Sequence, residues 1–265
     1  MTSEVQPVPG SPAWWAGRAP ALTQQRGRPQ TDIGRIVDTA LRLVDDAGIQ
    51  ALTLRTLAEA LGSGTATLYR RFNSKDELLV LVAEKILGEV RITPGNVEGL
   101  PWREAVTISA NAFYEVLRRH PHAITLLATR VPAGPNSLLA REWLGGLLLG
   151  HGFSVSLTAR AFTAIGHYVI GFAIQQHSPG TPGPEDQAQL RGYYRSLDPV
   201  GYPATSAAAD ELTSVPPHEE FRFGLDLLLD GLERAARKQP QDSTDPGRHR
   251  TGRTPKGPVA NDPAA

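Results

Sequence analysis

The side chains best placed to do chemistry lie between Thr53 and Lys75, and they offer hydrogen bonding and positive charge rather than nucleophiles or metal ligands. Thr65, Ala66, Thr67, Tyr69 and Arg70 fall on a short segment whose Leu68 and Phe72, four apart, face inward at helical spacing. Small and polar groups therefore lead, with an aromatic ring and a cation behind them. Such a surface suits the major groove of DNA: the early residues reach base edges, while Tyr69 and Arg70 reach bases or phosphate oxygens. Arg55, Arg71 and Lys75 are placed for phosphates, and Thr53 joins this set at the start of the preceding helix. No acidic residue occurs between Ser63 and Lys75.

The elements that must hold these groups are legible on either side. Ile33, Ile36, Val37, Ala40, Leu41 and Val44 recur at helical spacing, and Gly48 stops that helix as a left-handed cap would. Thr53 precedes a second apolar stripe, Leu54, Leu57, Ala58 and Leu61, which Gly62 ends. Ser63 and Gly64 make a turn of the length that joins two helices steeply, and a new helix is expected from near Thr65 to Phe72. Ser74 with Glu77 reads as a capping box, in which Glu77 answers the N–H of Ser74, so a long apolar helix is expected from Lys75. Three helices between Thr31 and Phe72 form a small bundle. Its core is marginal alone, so it should lean on the helix after it. The segment 31–76 is thus expected to be a helix-turn-helix DNA-binding domain.

Residues 35–79, RIVDTALRLVDDAGIQALTLRTLAEALGSGTATLYRRFNSKDELL, resemble the DNA-binding domain of the TetR family of transcriptional regulators, with TLYRRF and SKDELL the most specific pieces. Gly64 departs from the serine or threonine cap common in the family, and Thr65 stands where proline is frequent. Glycine costs only a few tenths of a kcal/mol against serine as a cap, so weaker capping of an intact motif is expected.

Composition agrees with this reading. The chain has 265 residues, 40% of them hydrophobic, and contains no cysteine, which removes disulfides, thiolate nucleophiles and Cys-ligated zinc. Twenty-seven basic residues balance twenty-seven acidic ones, so DNA affinity must come from local clustering. No uninterrupted apolar run is long enough to span a bilayer, and the expectation is a soluble, cytoplasmic protein with no membrane partner. Residues 1–30, rich in Pro, Gly and Gln, are expected to be a disordered arm whose Arg18, Arg26 and Arg28 form a basic stretch and whose Arg26, Gly27 and Arg28 could order on phosphates or in the minor groove. The alternative is a plain solvated tail. Trp14 and Trp15 in this arm have no physical account from sequence. The tail 239–265 is likewise expected to be disordered.

The remainder, 77–238, is expected to be a helical ligand-binding and dimerisation domain, making the chain all-α. Helices are expected over Trp102 to His120, His122 to Val131, Ser137 to Gly150, Ser154 to His177 and Pro217 to Lys238, with two short ones near 185–197 and 204–213 inside a Pro- and Gly-rich connection. Gly166 and Gly171 mark places where a neighbouring helix approaches closely. FRFGLDLLLDGLERAARK, TRVP and GHYVIGFAIQQH are similar to the C-terminal domain of tetracycline repressors. That resemblance implies a homodimer held by a four-helix bundle, two helices from each subunit, and hence a palindromic double-stranded DNA operator.

The resemblance also bears on the effector. Tetracycline repressors bind a drug–magnesium chelate through a histidine and an acidic residue whose positions here are Leu126 and Gln175. Neither suits a hard cation, so no metal and no cofactor is expected, and a small organic effector other than tetracycline is. Asn111, Thr129, Arg130, His167 and Gln175 interrupt apolar faces and could orient such a ligand; singly, His167 as a core or dimer contact and Arg130 as a helix cap are the plainer explanations. His120 and His122 flank a proline without an acidic partner at ligand spacing. No G-x-S-x-G, P-loop, H-E-x-x-H or dinucleotide fingerprint occurs, so an enzyme is disfavoured. A DNA-coating protein would carry the net positive charge this chain lacks. The sequence points to a homodimeric, ligand-responsive regulator, a repressor before an activator.

Overall fold

The computed structural model describes residues 7–23, 32–90, 97–129, 132–177 and 183–238, and among these all regular structure is helical. The expected basic stretch of Arg26, Gly27 and Arg28, the residues Arg130 and Val131, and the tail 239–265 lie outside the described residues.

The first half contains α1 (Pro12–Thr23), α2 (Asp32–Ala47), α3 (Leu54–Leu61), α4 (Thr65–Tyr69) and α5 (Lys75–Leu87). Gly48 closes α2 at φ 81°, in the left-handed region expected of it, and Gly62, expected only to end α3, does so at φ 64° in the same region. At the head of α3, Thr53 Oγ1 accepts the Thr56 N–H at 3.0 Å and Thr56 Oγ1 accepts the Thr53 N–H at 3.0 Å. Gly64 caps α4 without a side-chain bond, as its lack of a hydroxyl dictates. The helix ends at Tyr69 rather than Phe72, although Phe72 N–H still bonds Leu68 O at 2.9 Å.

Two expectations are corrected here. The capping box at Ser74 is only half formed: Ser74 Oγ accepts the Glu77 N–H at 3.3 Å, but the Glu77 carboxylate turns instead to the N–H of Asn73 at 3.2 Å. The arm 1–30 is not wholly disordered, because α1 folds within it. Trp14 and Trp15 are buried to 6% and 8% exposure, and burial of two indoles offsets the ordering entropy that composition alone says the arm cannot meet.

The second half contains α6 (Trp102–Arg119), a 3₁₀ turn (Pro121–Ala123), α7 (Thr125–Ala128), α8 (Pro135–Gly150), α9 (Val155–His177), α10 (Pro184–Ser196), α11 (Pro203–Ala207), α12 (Glu211–Ser214) and α13 (Pro217–Arg237). Among its described residues the connection between α9 and α13 thus holds three short helices rather than two, the first tied to the third by Arg195 to Asp210 at 2.6 Å and Arg191 to Thr213 Oγ1 at 2.9 Å. By length and composition α9, with a mean hydropathy of 1.3, could cross a membrane, a property hidden from a search for uninterrupted apolar runs. Its Ala161, Ile165, Val169 and Ala173 are buried, and it packs on α6, α8 and α13.

One apolar core runs through both halves, from Leu57, Leu68 and Phe72 through Leu78 and Ile86 to Leu117, Val169 and Phe221. The small bundle therefore leans on α5, which packs against α2 on one side and α8 on the other. Glu84 of α5 is buried, and its carboxylate accepts the Asn136 N–H at the start of α8. Burial, against the bonds from Asn136 and Ser137 and the charge of Arg141, holds its carboxyl above the ordinary 4.5. The folded chain keeps this proton to a higher pH than the unfolded chain, so its contribution to stability is present in acid and is lost as pH rises through the raised value. Glu84→Gln, which cannot ionise, should become progressively more stable relative to wild type as pH climbs above the ordinary carboxylate range, measured by thermal unfolding of both proteins across pH.

Candidate nucleic-acid interface

The surface of α4 divides as its residue types require. Leu68 and Phe72, each 1% exposed, anchor it in the core. Thr65, Ala66, Tyr69 and Arg70 are exposed, Thr67 is half-buried, and the Tyr69 ring stands 63% clear of the protein. Arg70 reaches back to Thr67 Oγ1 at 3.3 Å, which orders the two polar side chains on one face. Gly64 leaves the first N–H groups of α4 without a side-chain acceptor, so they face outward toward whatever acceptor approaches.

The surrounding residues play mixed parts. Arg55 is exposed and pairs with Glu59 at 3.0 Å, an exposed pair of little stabilising worth that a phosphate can displace. Arg71 is exposed. Lys75 donates to the carbonyl of Ile49 at 2.8 Å, bracing the turn between α2 and α3 with one of its three protons. Thr53 is exposed but its hydroxyl is spent on the α3 cap. Thr65, Ala66, Tyr69, Arg70, Arg55 and Arg71 thus stand outward, while Thr53 and Lys75 also brace the scaffold.

Sequence reasoning missed the residues that fix the exit of α4. Glu77, 4% exposed, takes the Asn73 N–H at 3.2 Å, Asn73 Nδ2 at 3.0 Å, Trp14 Nε1 at 3.3 Å and the Arg18 guanidinium at 2.8 Å. The available signal was a pair of tryptophans followed by an arginine in an otherwise polar arm, since side chains that large are seldom left in water.

Among the described residues, the expected effector positions Asn111, Thr129, His167 and Gln175 are not brought together. Asn111 is exposed and bonds its own helix at Thr107 O, 2.8 Å away. His167 and Gln175 are exposed on α9. Thr129 alone lines a cavity of about 150 Å³ between α1, α5 and the segment before α8, together with Trp15, Leu79, Leu87, Leu126 and Glu84. His120 acquires through tertiary structure the acidic partners absent at sequence spacing: its Nδ1 lies 2.9 Å from Asp45 and its Nε2 3.1 Å from Glu89. Among the described residues no cluster of three or more His, Asp or Glu side chains is arranged to hold a metal ion.

Residues 36–82 match the model of bacterial regulatory proteins of the tetR family, and residues 94–236 match the tetracyclin repressor-like C-terminal domain. The HTH-type transcriptional repressor DrrR1 of Streptomyces coeruleorubidus is 30% identical over 83% of this chain and 83% of its own length. Tetracycline repressor protein class C of Escherichia coli is 30% identical over 75% of this chain and 89% of its own. Among solved structures, ActR of Streptomyces coelicolor in complex with actinorhodin superposes with a TM-score of 0.70 at 33% identity, covering 79% of this chain and 99% of ActR.

The contrast between neighbours on α4 sets a test. Tyr69→Ala should leave global stability within about 0.5 kcal/mol of wild type, because the ring is exposed. Leu68→Ala, one residue away and fully buried, should cost about 2–5 kcal/mol in chemical denaturation.

Proposed function

The chain belongs to the TetR family of DNA-binding transcriptional regulators, and on that footing we propose that it is a homodimeric repressor, acting in the cytoplasm, that a small organic effector releases from a palindromic operator. The observation that carries this reading is the outward face of α4, where Thr65, Ala66, Tyr69 and Arg70 are exposed while Leu68 and Phe72 anchor the motif in the core. Thr65, Thr67, Tyr69 and Arg70 are assigned to base edges, with Ala66 in contact with them; Arg55, Arg71 and Lys75 are assigned to phosphates, and Thr53 to the rim of the groove. ActR binds actinorhodin. By analogy this chain is assigned an effector in its C-terminal half, of a kind that needs no metal at Leu126 or Gln175.

Dimerisation through α9 and α13 is supported by what those helices leave uncovered. Phe223 and Leu227 on α13 are 66% and 54% exposed, and a Cβ added at Gly166 or Gly171 of α9 would meet no other atom within 4 Å. A helix from a second copy fits that smooth stripe. Two copies would set two α4 helices at half-sites about one DNA turn apart. Release then follows as a population shift, provided the effector binds the mismatched arrangement more tightly.

Two measurements check this reading. Selection of bound fragments from the source genome at physiological salt should recover a palindrome preferred over random DNA by about a thousandfold or more. Tyr69→Ala should lose that preference; unchanged operator affinity would remove Tyr69 from the interface. Phe223→Glu combined with Leu227→Glu should sediment as a folded monomer with the palindrome no longer retained, whereas a dimer of wild-type strength would displace the interface from α13.

A further inference from the structure

Trp14 and Arg18 of α1 and Asn73 of the turn leaving α4 all bond the same carboxylate. Trp14 Nε1 and Asn73 Nδ2 share Glu77 Oε1, at 3.3 and 3.0 Å; Arg18 and the Asn73 N–H share Oε2, at 2.8 and 3.2 Å. The Arg18 guanidinium also lies over the Trp14 ring, 4.2 Å from its centroid, and Trp14 packs edge-on against Trp15 at 4.8 Å. Asn73 follows Phe72, the side chain that anchors the end of α4, and precedes Ser74, the cap of α5. One buried group thus sets where the N-terminal helix lies and where the recognition helix ends.

Resting on the proposed DNA-binding function, we infer that α1 is a positioning strap for α4, with Trp14 and Arg18 acting on operator affinity through Glu77 and not by touching DNA. A buried carboxylate that loses two of its four donors must turn toward water or draw its remaining donors with it. Those remaining donors belong to Asn73, so the exit of α4 moves. Base readout tolerates displacements of only about half an ångström before bonds are lost. The other end of the strap reaches the second half of the chain: Trp15 is packed so closely against Gly134 that a Cβ there would collide with its ring. Arg18, which the sequence offers only as part of a basic stretch, thus has its guanidinium engaged within the protein.

The test uses full-length Trp14→Phe, Arg18→Ala and Glu77→Gln, with folding and dimerisation checked by circular dichroism and sedimentation. Trp14→Phe keeps an aromatic ring and every charge, and removes the indole N–H together with the five-membered ring that carries it. Each variant should bind the operator recovered by the wild type about tenfold more weakly, with the slope of log affinity against log salt unchanged. In the DNA-free proteins, amide exchange at Asn73 should accelerate. A slope smaller by about one for Arg18→Ala, with Trp14→Phe binding like wild type, would make Arg18 a phosphate contact and overturn the strap. Wild-type operator affinity in Trp14→Phe and Arg18→Ala together would overturn it as well. If the wild type itself recovers no operator, the DNA-binding function fails, and unchanged exchange at Asn73 in the two variants would separately overturn the strap.

Discussion

The carboxylate of Glu77 is the contact through which the two termini of the DNA-binding half are registered. A charge at 4% exposure is tolerable only when its oxygens are fully bonded, and stripping a partner from such a group costs about 3–5 kcal/mol. Four donors meet that demand, two from α1 and two from Asn73. Burial of Trp14 and Trp15 and the placement of α4 are therefore not independent events. Glu84 lies seven residues on, two turns along the same face of α5. It does for α8 what Glu77 does for the turn after α4, accepting N–H groups at a helix start. A single helix thus carries two buried carboxylates, one committed to each half of the molecule.

The joint between the halves has a second polar seam on the opposite end of α5. Lys85 pairs with Asp38 of α2 at 3.2 Å, and His120, just after α6, sits between Asp45 of α2 and Glu89. His122 Nδ1 donates to the carbonyl of Asp45 at 2.9 Å. The 3₁₀ turn that Pro121 forces after α6 is what brings both histidines to α2. With the continuous apolar core beneath, these contacts join α2, α5 and the 3₁₀ turn.

Glycines separate close approaches within the chain from open surface. Gly134 and Gly224 are both required by sterics: a Cβ at Gly134 would strike Glu84, and one at Gly224 would strike Tyr168, whose hydroxyl donates to Phe221 O at 2.7 Å. Gly166 and Gly171, where the sequence suggested a neighbouring helix, meet none among the described residues. The crossing of α9 and α13 within the chain is made at Tyr168 and Gly224 instead, with Tyr114 stacked on Phe221 and Phe172 edge-on to both beside it.

What the sequence determined by itself is the set of features governed by neighbours along the chain. Apolar stripes at helical spacing, the left-handed Gly48, the helix stop at Gly62, the Ser74 cap and the polar outward face of α4 are all local, and each was legible. Proline and glycine density correctly marked a long connection before α13, though not the bonds by which Arg191 and Arg195 tie its first short helix to Asp210 and Thr213. Tertiary structure decided what depends on residues far apart. Glu77 read as a local capping partner, but donors some sixty residues upstream compete for its oxygens and win. Trp14 and Trp15 lie in a segment whose composition forbids a core of its own, and they fold because α5 supplies one. Asn111, His167 and Gln175 interrupt apolar faces as the pattern shows, yet periodicity records only that a face exists, not which neighbour covers it. The partners of a side chain are set by how helices cross, and crossing is invisible to spacing along the chain.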